Sequence, residues 1–275
     1  MSCNQPLYQK EEDACRKTFL KDADKLDVPY YFYKGTNQEQ PAQYIDNEAH
    51  IMYLATPDSL FGTAMKTILA FSQALKLDDW DYIVKTNVST WLDIKKILNV
   101  VQFWDGREDR NVYGARFIAN NDSKNVPFPR GNFVILSRSL VEGFLKWAPK
   151  LLTDKDMPKT DDTLMCLSLL YHLQGVLKDD YKSRLKEVPS VISWANDIEE
   201  STEFTDALSI RCKDEKNPEK TPENLLRIHK LKHSSKPRKY FRSLGLIETK
   251  FGLIDYERYQ RLIVLEKRIK QTESG

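Results

Sequence analysis

The chain has 275 residues, with 42 Lys and Arg against 40 Asp and Glu and a formal net charge of +2. A 41% apolar fraction with 13 Tyr, 12 Phe and 5 Trp excludes global disorder, and the near balance of charge excludes a chain that is basic throughout. This length makes one large domain or two small ones.

The sequence opens with MSCNQPLYQKEED, polar from the start, and no apolar run approaches the roughly 20 residues of a membrane-spanning helix. The expectation is a soluble protein of the cytoplasm. Residues 2–16 read as a loop with no strand before it. The first predicted strand is 27–35 (DVPYYFYKG), aromatic and stopped by Gly35, and the second is 49–55. A helix over 60–75 follows, with Met65, Ile68, Leu69 and Phe71 near one face. Next come a strand over 80–86 (WDYIVKT), a helix over 92–103, a strand over 111–118 and a strand over 131–137 (GNFVILS). Ser137 is placed to cap a helix through Leu140, Phe144 and Trp147. Another helix is expected over 161–173, then a polar loop over 213–223, a basic run over 227–242 and a terminal amphipathic helix over 256–269. Short strands alternating with helices of 10–15 residues predict an α/β fold.

Several chemistries lack their residues. There is no GxGxxG, no GxxxxGK[ST], no GxSxG and no HExxH. The four Cys at 3, 15, 166 and 212 form no close pair, so reduced thiols are expected. The four His, at 50, 172, 229 and 233, make a His-rich metal site a poor reading. The Asp161-Asp162 pair opens a helix, where acids favour the positive end. The basic run, Arg227, Lys230, Lys232, Lys236, Arg238, Lys239 and Arg242 with His229 and His233 interleaved, contains no acid. It reads as a solvated face, as a cradle for a diphosphate, or as a contact for DNA.

Six segments in order resemble family 31 of the glycosyltransferases, the β-1,3-glycosyltransferase and Fringe-like group. They are CRKTF at 15–19, YYFYKG at 30–35, DSLFGTAMKT at 58–67, YIVKTNVSTWL at 82–92, GNFVILS at 131–137 and Asp161-Asp162-Thr163. The resemblance covers roughly residues 10–175. It implies a GT-A-like, Rossmann-type central mixed sheet flanked by helices over residues 1–210, with residues 211–275 as a C-terminal helical appendage packed on it. No strand is predicted before Arg16, so either the first strand of that sheet is absent or the fold begins elsewhere. It further implies transfer of a sugar from a nucleotide-sugar donor, UDP-sugar foremost, to an acceptor hydroxyl with inversion. Asp162 maps to the family's base, with Asp161 beside it. Arg16, Thr18, Lys66, Asn87, Ser89, Gly131 and Asn132 map to the donor side. His229, Lys232, His233, Lys236 and Arg238 are the candidates for the diphosphate. The acceptor would be a glycan, a protein or a modified base in viral DNA, in a bacterium or a virus-infected cell.

The sequence departs from the family at one point. Three acids that hold a divalent metal follow the strand Lys, here Lys85, whereas this chain has Asn87, Val88 and Ser89. Neutral oxygens hold such ions poorly. The departure leaves open an enzyme that manages without the metal and a non-catalytic relative that binds sugar nucleotides or glycans.

Overall fold

The computed structural model describes residues 1–36, 43–59, 62–77, 80–102, 104, 111–115, 117–119, 127–153, 160–177, 181–188, 190–192, 207–234, 246–249 and 252–255. In place of the expected N-terminal loop there are two helices, α1 (Pro6–Lys17) and α2 (Phe19–Lys25). Pro6 starts α1 where its missing N–H costs nothing, and Arg16 and Lys17 end it where cations suit the negative helix end. Its buried face carries Ala14 and Cys15 and also two acids, Glu11 and Glu12.

The strands β1 (Phe32–Gly35), β2 (Tyr44–Asp46) and β3 (Ile51–Leu54) form one sheet in the order β1-β3-β2, with β1 and β3 parallel. Helix α3 (Thr63–Ala74) leads to β4 (Tyr82–Thr86) and the short β5 (Thr90–Leu92). The Asp93 side chain caps α4 (Ile94–Val101) by accepting from the Lys96 amide at 3.1 Å. The single strand expected over 111–118 is two, β6 (Val112–Gly114) and β7 (Phe117–Ala119). They separate because β6 pairs with β9 (Phe133–Ser137) while β7 turns back on β8 (Pro127–Pro129). Ser137 caps α5 (Arg138–Leu152) as expected, accepting from the Leu140 amide at 3.3 Å. Helix α6 (Asp161–Leu177) packs on α5, and β10 (Leu185–Glu187) completes the sheet β10-β6-β9-β4. Strand β9 is buried along its whole length, as its apolar run requires at a sheet centre. Beyond it lie β11 (Ser190–Ile192) and β12 (Ser209–Arg211), which joins β5. Helix α7 (Thr221–Ser234) packs on α1, and a hairpin of β13 (Leu246–Thr249) and β14 (Gly252–Asp255) follows. The terminal helix expected over 256–269 lies outside the described residues.

The chain is therefore mixed α/β with small mixed sheets, rather than the one continuous Rossmann-type sheet expected. The strands pair in separate groups, β3 with β1 and β2, and β4 with β9. The Ser2 amide donates to the Tyr33 carbonyl of β1 at 3.1 Å, and the Met1 ammonium donates to the Thr86 carbonyl of β4 at 2.7 Å. Met1 and Ser2 thus lie between the two sheets.

Candidate functional site

The ends of β1, β3 and β4 and the start of α6 carry a set of buried charges. Asp58 follows β3. Its carboxylate accepts from the Asn4 amide at 2.6 Å, from the Gly35 amide at 3.3 Å and from Lys66 Nζ at 3.0 Å. Gly35 is required here, because a Cβ would lie 2.5 Å from the Thr56 carbonyl and 2.8 Å from the Asp58 backbone. Lys66 and Asp58 are both about as buried as core residues, with side chains 3% exposed. A buried pair of this kind is held by its added hydrogen bonds more than by attraction alone.

The second group centres on Lys85 in β4. Its ammonium donates to Asp161 Oδ2 and, at 3.4 Å, to Asp162 Oδ1. Burial pulls the Lys85 ammonium down, but the two carboxylates and Tyr33 outweigh it and hold it above the ordinary value. Burial pushes the Asp161 carboxyl up, yet the Lys85 ammonium and its hydrogen bond bring it below the usual range. Asp162 goes the other way. Burial raises it to about 6, with Asp161 adding to the rise and Lys85 opposing it. Its side chain remains 27% exposed, so the carboxylate is reachable. The neighbouring acids are thus separated into a fixed counter-ion and a partly exposed carboxylate raised to about 6.

Asp162 is oriented by Gly131, whose amide donates to Oδ2 at 2.8 Å. A Cβ on Gly131 would collide with that carboxylate. Next to Gly131, Asn132 is buried, and both polar atoms of its side chain lack a hydrogen-bond partner among the described residues. Oδ1 of Asn87 is in the same condition. The two asparagines are linked through Thr86, which follows Lys85 in β4 and donates from its hydroxyl to the Asn132 carbonyl at 2.7 Å. Unsatisfied buried amides are costly and rare.

No protein-family model matches the chain, and no curated protein matches it in sequence.

The remaining sequence candidates have other surroundings. Arg16 donates to the Ala49 carbonyl and lies 4.7 Å over the Phe32 ring, which ties α1 to the first sheet. The Thr18 hydroxyl is buried and donates to the Ala14 carbonyl at 2.7 Å, at the α1–α2 junction. The Ser89 carbonyl accepts from the Cys212 amide at 2.8 Å. Lys232 is engaged by the Ala207 carbonyl at 3.1 Å and by Asp93 at 3.5 Å, over the Trp91 ring. His229 accepts at Nδ1 from the Trp91 indole at 3.3 Å, and burial holds it below the ordinary value. His233 lies 3.1 Å from Asp22. These three sit on α7 against α2, β5 and Asp93. Lys236 and Arg238 lie outside the described residues.

The residues at the family's metal position do not fit a hard divalent ion. Val88 is in the apolar core, 4% exposed, and Asn87 and Ser89 offer neutral oxygens where such ions take carboxylates.

Sequence reasoning missed Lys85 and Tyr33 as members of the site, and it missed Glu12, which is fully buried and paired with Lys34 at 2.8 Å. A Lys in an otherwise apolar strand is the one local sign of Lys85. Its partner lies 76 residues away.

Proposed function

We propose that the chain is a GT-A-like glycosyltransferase that uses a nucleotide sugar, UDP-sugar foremost, and inverts at the anomeric carbon. Asp162 carries the reading. It is a partly exposed carboxylate raised to about 6 and aimed by the Gly131 amide, while its neighbour Asp161 is committed to Lys85. A base near neutrality within reach of an acceptor hydroxyl is what the reaction needs. The hydroxyl proton passes to Asp162, the hydroxyl oxygen attacks the anomeric carbon, and the nucleoside diphosphate leaves with the bonding electrons. The unpartnered groups of Asn87 and Asn132 supply hydrogen bonds for donor hydroxyls or phosphate oxygens. Asp58 and Lys66 order the ends of β1 and β3 around them.

Asn87, Val88 and Ser89 do not suit a hard cation. His229, Lys232 and His233 are engaged on α7, so of the run's candidates for the departing diphosphate, toward a glycan, protein or modified-DNA acceptor, Lys236 and Arg238 remain, outside the described residues. The same neutral triplet favours a second reading, a relative that binds the nucleotide sugar without turning it over. The test is release of nucleoside diphosphate from a panel of nucleotide sugars, comparing wild type with Asp162→Asn. Turnover that Asp162→Asn abolishes supports the enzyme, binding without turnover supports the second reading, and full activity in Asp162→Asn sinks the assignment of the base.

A further inference from the structure

We propose that Asp22, His229 and His233 form a binding site for a divalent transition-metal ion of the zinc type, which ties α7 to α2. The proposal stands apart from the glycosyltransferase reading.

His229 and His233 are four residues apart on α7 and therefore share a face. Their rings are 4.2 Å apart, centroid to centroid. Asp22 comes from α2, more than two hundred residues earlier. One ligand atom from each of the three lies within 4.8 Å of the others. His233 Nε2 and Asp22 Oδ2 are already 3.1 Å apart. Two ligands about 2.0–2.1 Å from a tetrahedral zinc ion stand roughly 3.3 Å apart, so this edge needs almost no adjustment. The other two edges are no longer than 4.8 Å and close by side-chain rotation.

The donor set selects the metal. Two imidazoles and one carboxylate suit zinc and its neighbours, whereas magnesium and calcium take oxygen shells. His233 is about half exposed, with its side chain 56% accessible, so water can take the fourth position. Lys25, 3.6 Å from Asp22 and largely exposed, is the cation an incoming metal displaces, and its flexible chain can swing into solvent. Lys21, also on α2, is close enough for its charge to add to the lowering of His229.

One contact would report occupancy. Trp91 Nε1 donates to His229 Nδ1 at 3.3 Å, so the neutral ring carries its proton on Nε2. Capture of a metal at Nε2 moves that proton to Nδ1, which can no longer accept from the indole. The Trp91 bond breaks, and the environment of the indole changes.

The experiment uses the full chain, stripped with chelator and desalted. Zinc chloride is titrated by calorimetry, and cobalt(II) is followed by its visible absorption. The expected result is saturable 1:1 binding, a tetrahedral cobalt band, a change in tryptophan fluorescence and a rise in Tm. His233→Ala, at an exposed position, should keep the fold by circular dichroism and lose the binding. Asp22→Asn should weaken it about tenfold or more, and His50→Asn should leave it unchanged. Absence of saturable binding, or equal binding by His233→Ala, overturns the proposal.

Discussion

The amide of Gly131 holds the carboxylate of Asp162 at 2.8 Å, and the space between them is too small for even a methyl group. Gly131→Ala should therefore push Asp162 out of position. Overpacking of this kind costs about 1–3 kcal/mol of stability, and a displaced base costs about 100-fold in rate. Denaturant unfolding and turnover measured on the same preparation check both. Unchanged turnover would show that the geometry of Asp162 is not used.

Asp162, raised to about 6, sets a pH dependence. A base acts only when ionised, so turnover should rise with pH through about 6, and Asp162→Asn should remove the limb along with the activity. The contribution to stability has the opposite sign. The folded value lies above the unfolded value of about 3.9, so the stabilisation is fully present below that value and is lost as pH rises through about 6. Asp161 is lowered, so its stabilisation is present above about 3.9 and is lost as pH falls. Carbon-13 titration of the two carboxyls should give two values on either side of the ordinary one. Coincident titration near 4 would contradict the separation.

Lys85 and Asp161 should behave as a buried pair. Lys85→Met leaves a nearly buried carboxylate without its counter-ion, at a cost of about 3–5 kcal/mol. Adding Asp161→Asn should recover a large part of the loss, because the uncompensated charge goes with it. Equilibrium unfolding of the two single variants and the double variant measures the coupling. Additive losses would mean that the residues do not act as a pair.

Asp93 joins two helices, capping α4 and accepting Lys232 from α7. Asp93→Ala should cost about 1 kcal/mol for the cap alone, and the loss of the Lys232 partner adds to it. Asp93→Asn keeps the cap and loses the ion pair, so it should fall between the two. Equal stability of Asp93→Ala and wild type, by thermal unfolding, would contradict both roles.

The elements that position the site were legible where local pattern decides them. The apolar run of β9 reads as a buried strand, and Ser137 reads as the cap of α5. The N-terminal helices were not legible. The buried face of α1 carries Glu11 and Glu12, which spoil an apolar stripe, and Glu12 is tolerated because Lys34 meets it from β1 and the Ser2 hydroxyl donates to it. The division of 111–118 into β6 and β7 depends on which strands lie alongside, a long-range fact. The roles of the acid pair follow the same rule. Their sequence is symmetrical, and only the approach of Lys85 to Asp161 and of Gly131 to Asp162 makes them different. His229 and Lys232 looked like free cations beside a ligand, but Trp91 and Asp93 engage them.

The central claim is that a nucleotide sugar binds at the ends of β1, β3 and β4 beside Asp162. The most direct measurement is a thermal-shift titration with UDP, other nucleoside diphosphates and their sugars, each with manganese and with chelator. A ligand at about 100 times its Kd should add roughly 2.7 kcal/mol, a clear rise in Tm. The account predicts a shift with one nucleotide class, UDP-linked foremost, that persists in chelator and in Asp162→Asn, because that variant removes the base and leaves the donor contacts. No shift with any nucleoside diphosphate or nucleotide sugar, in either condition, would contradict it.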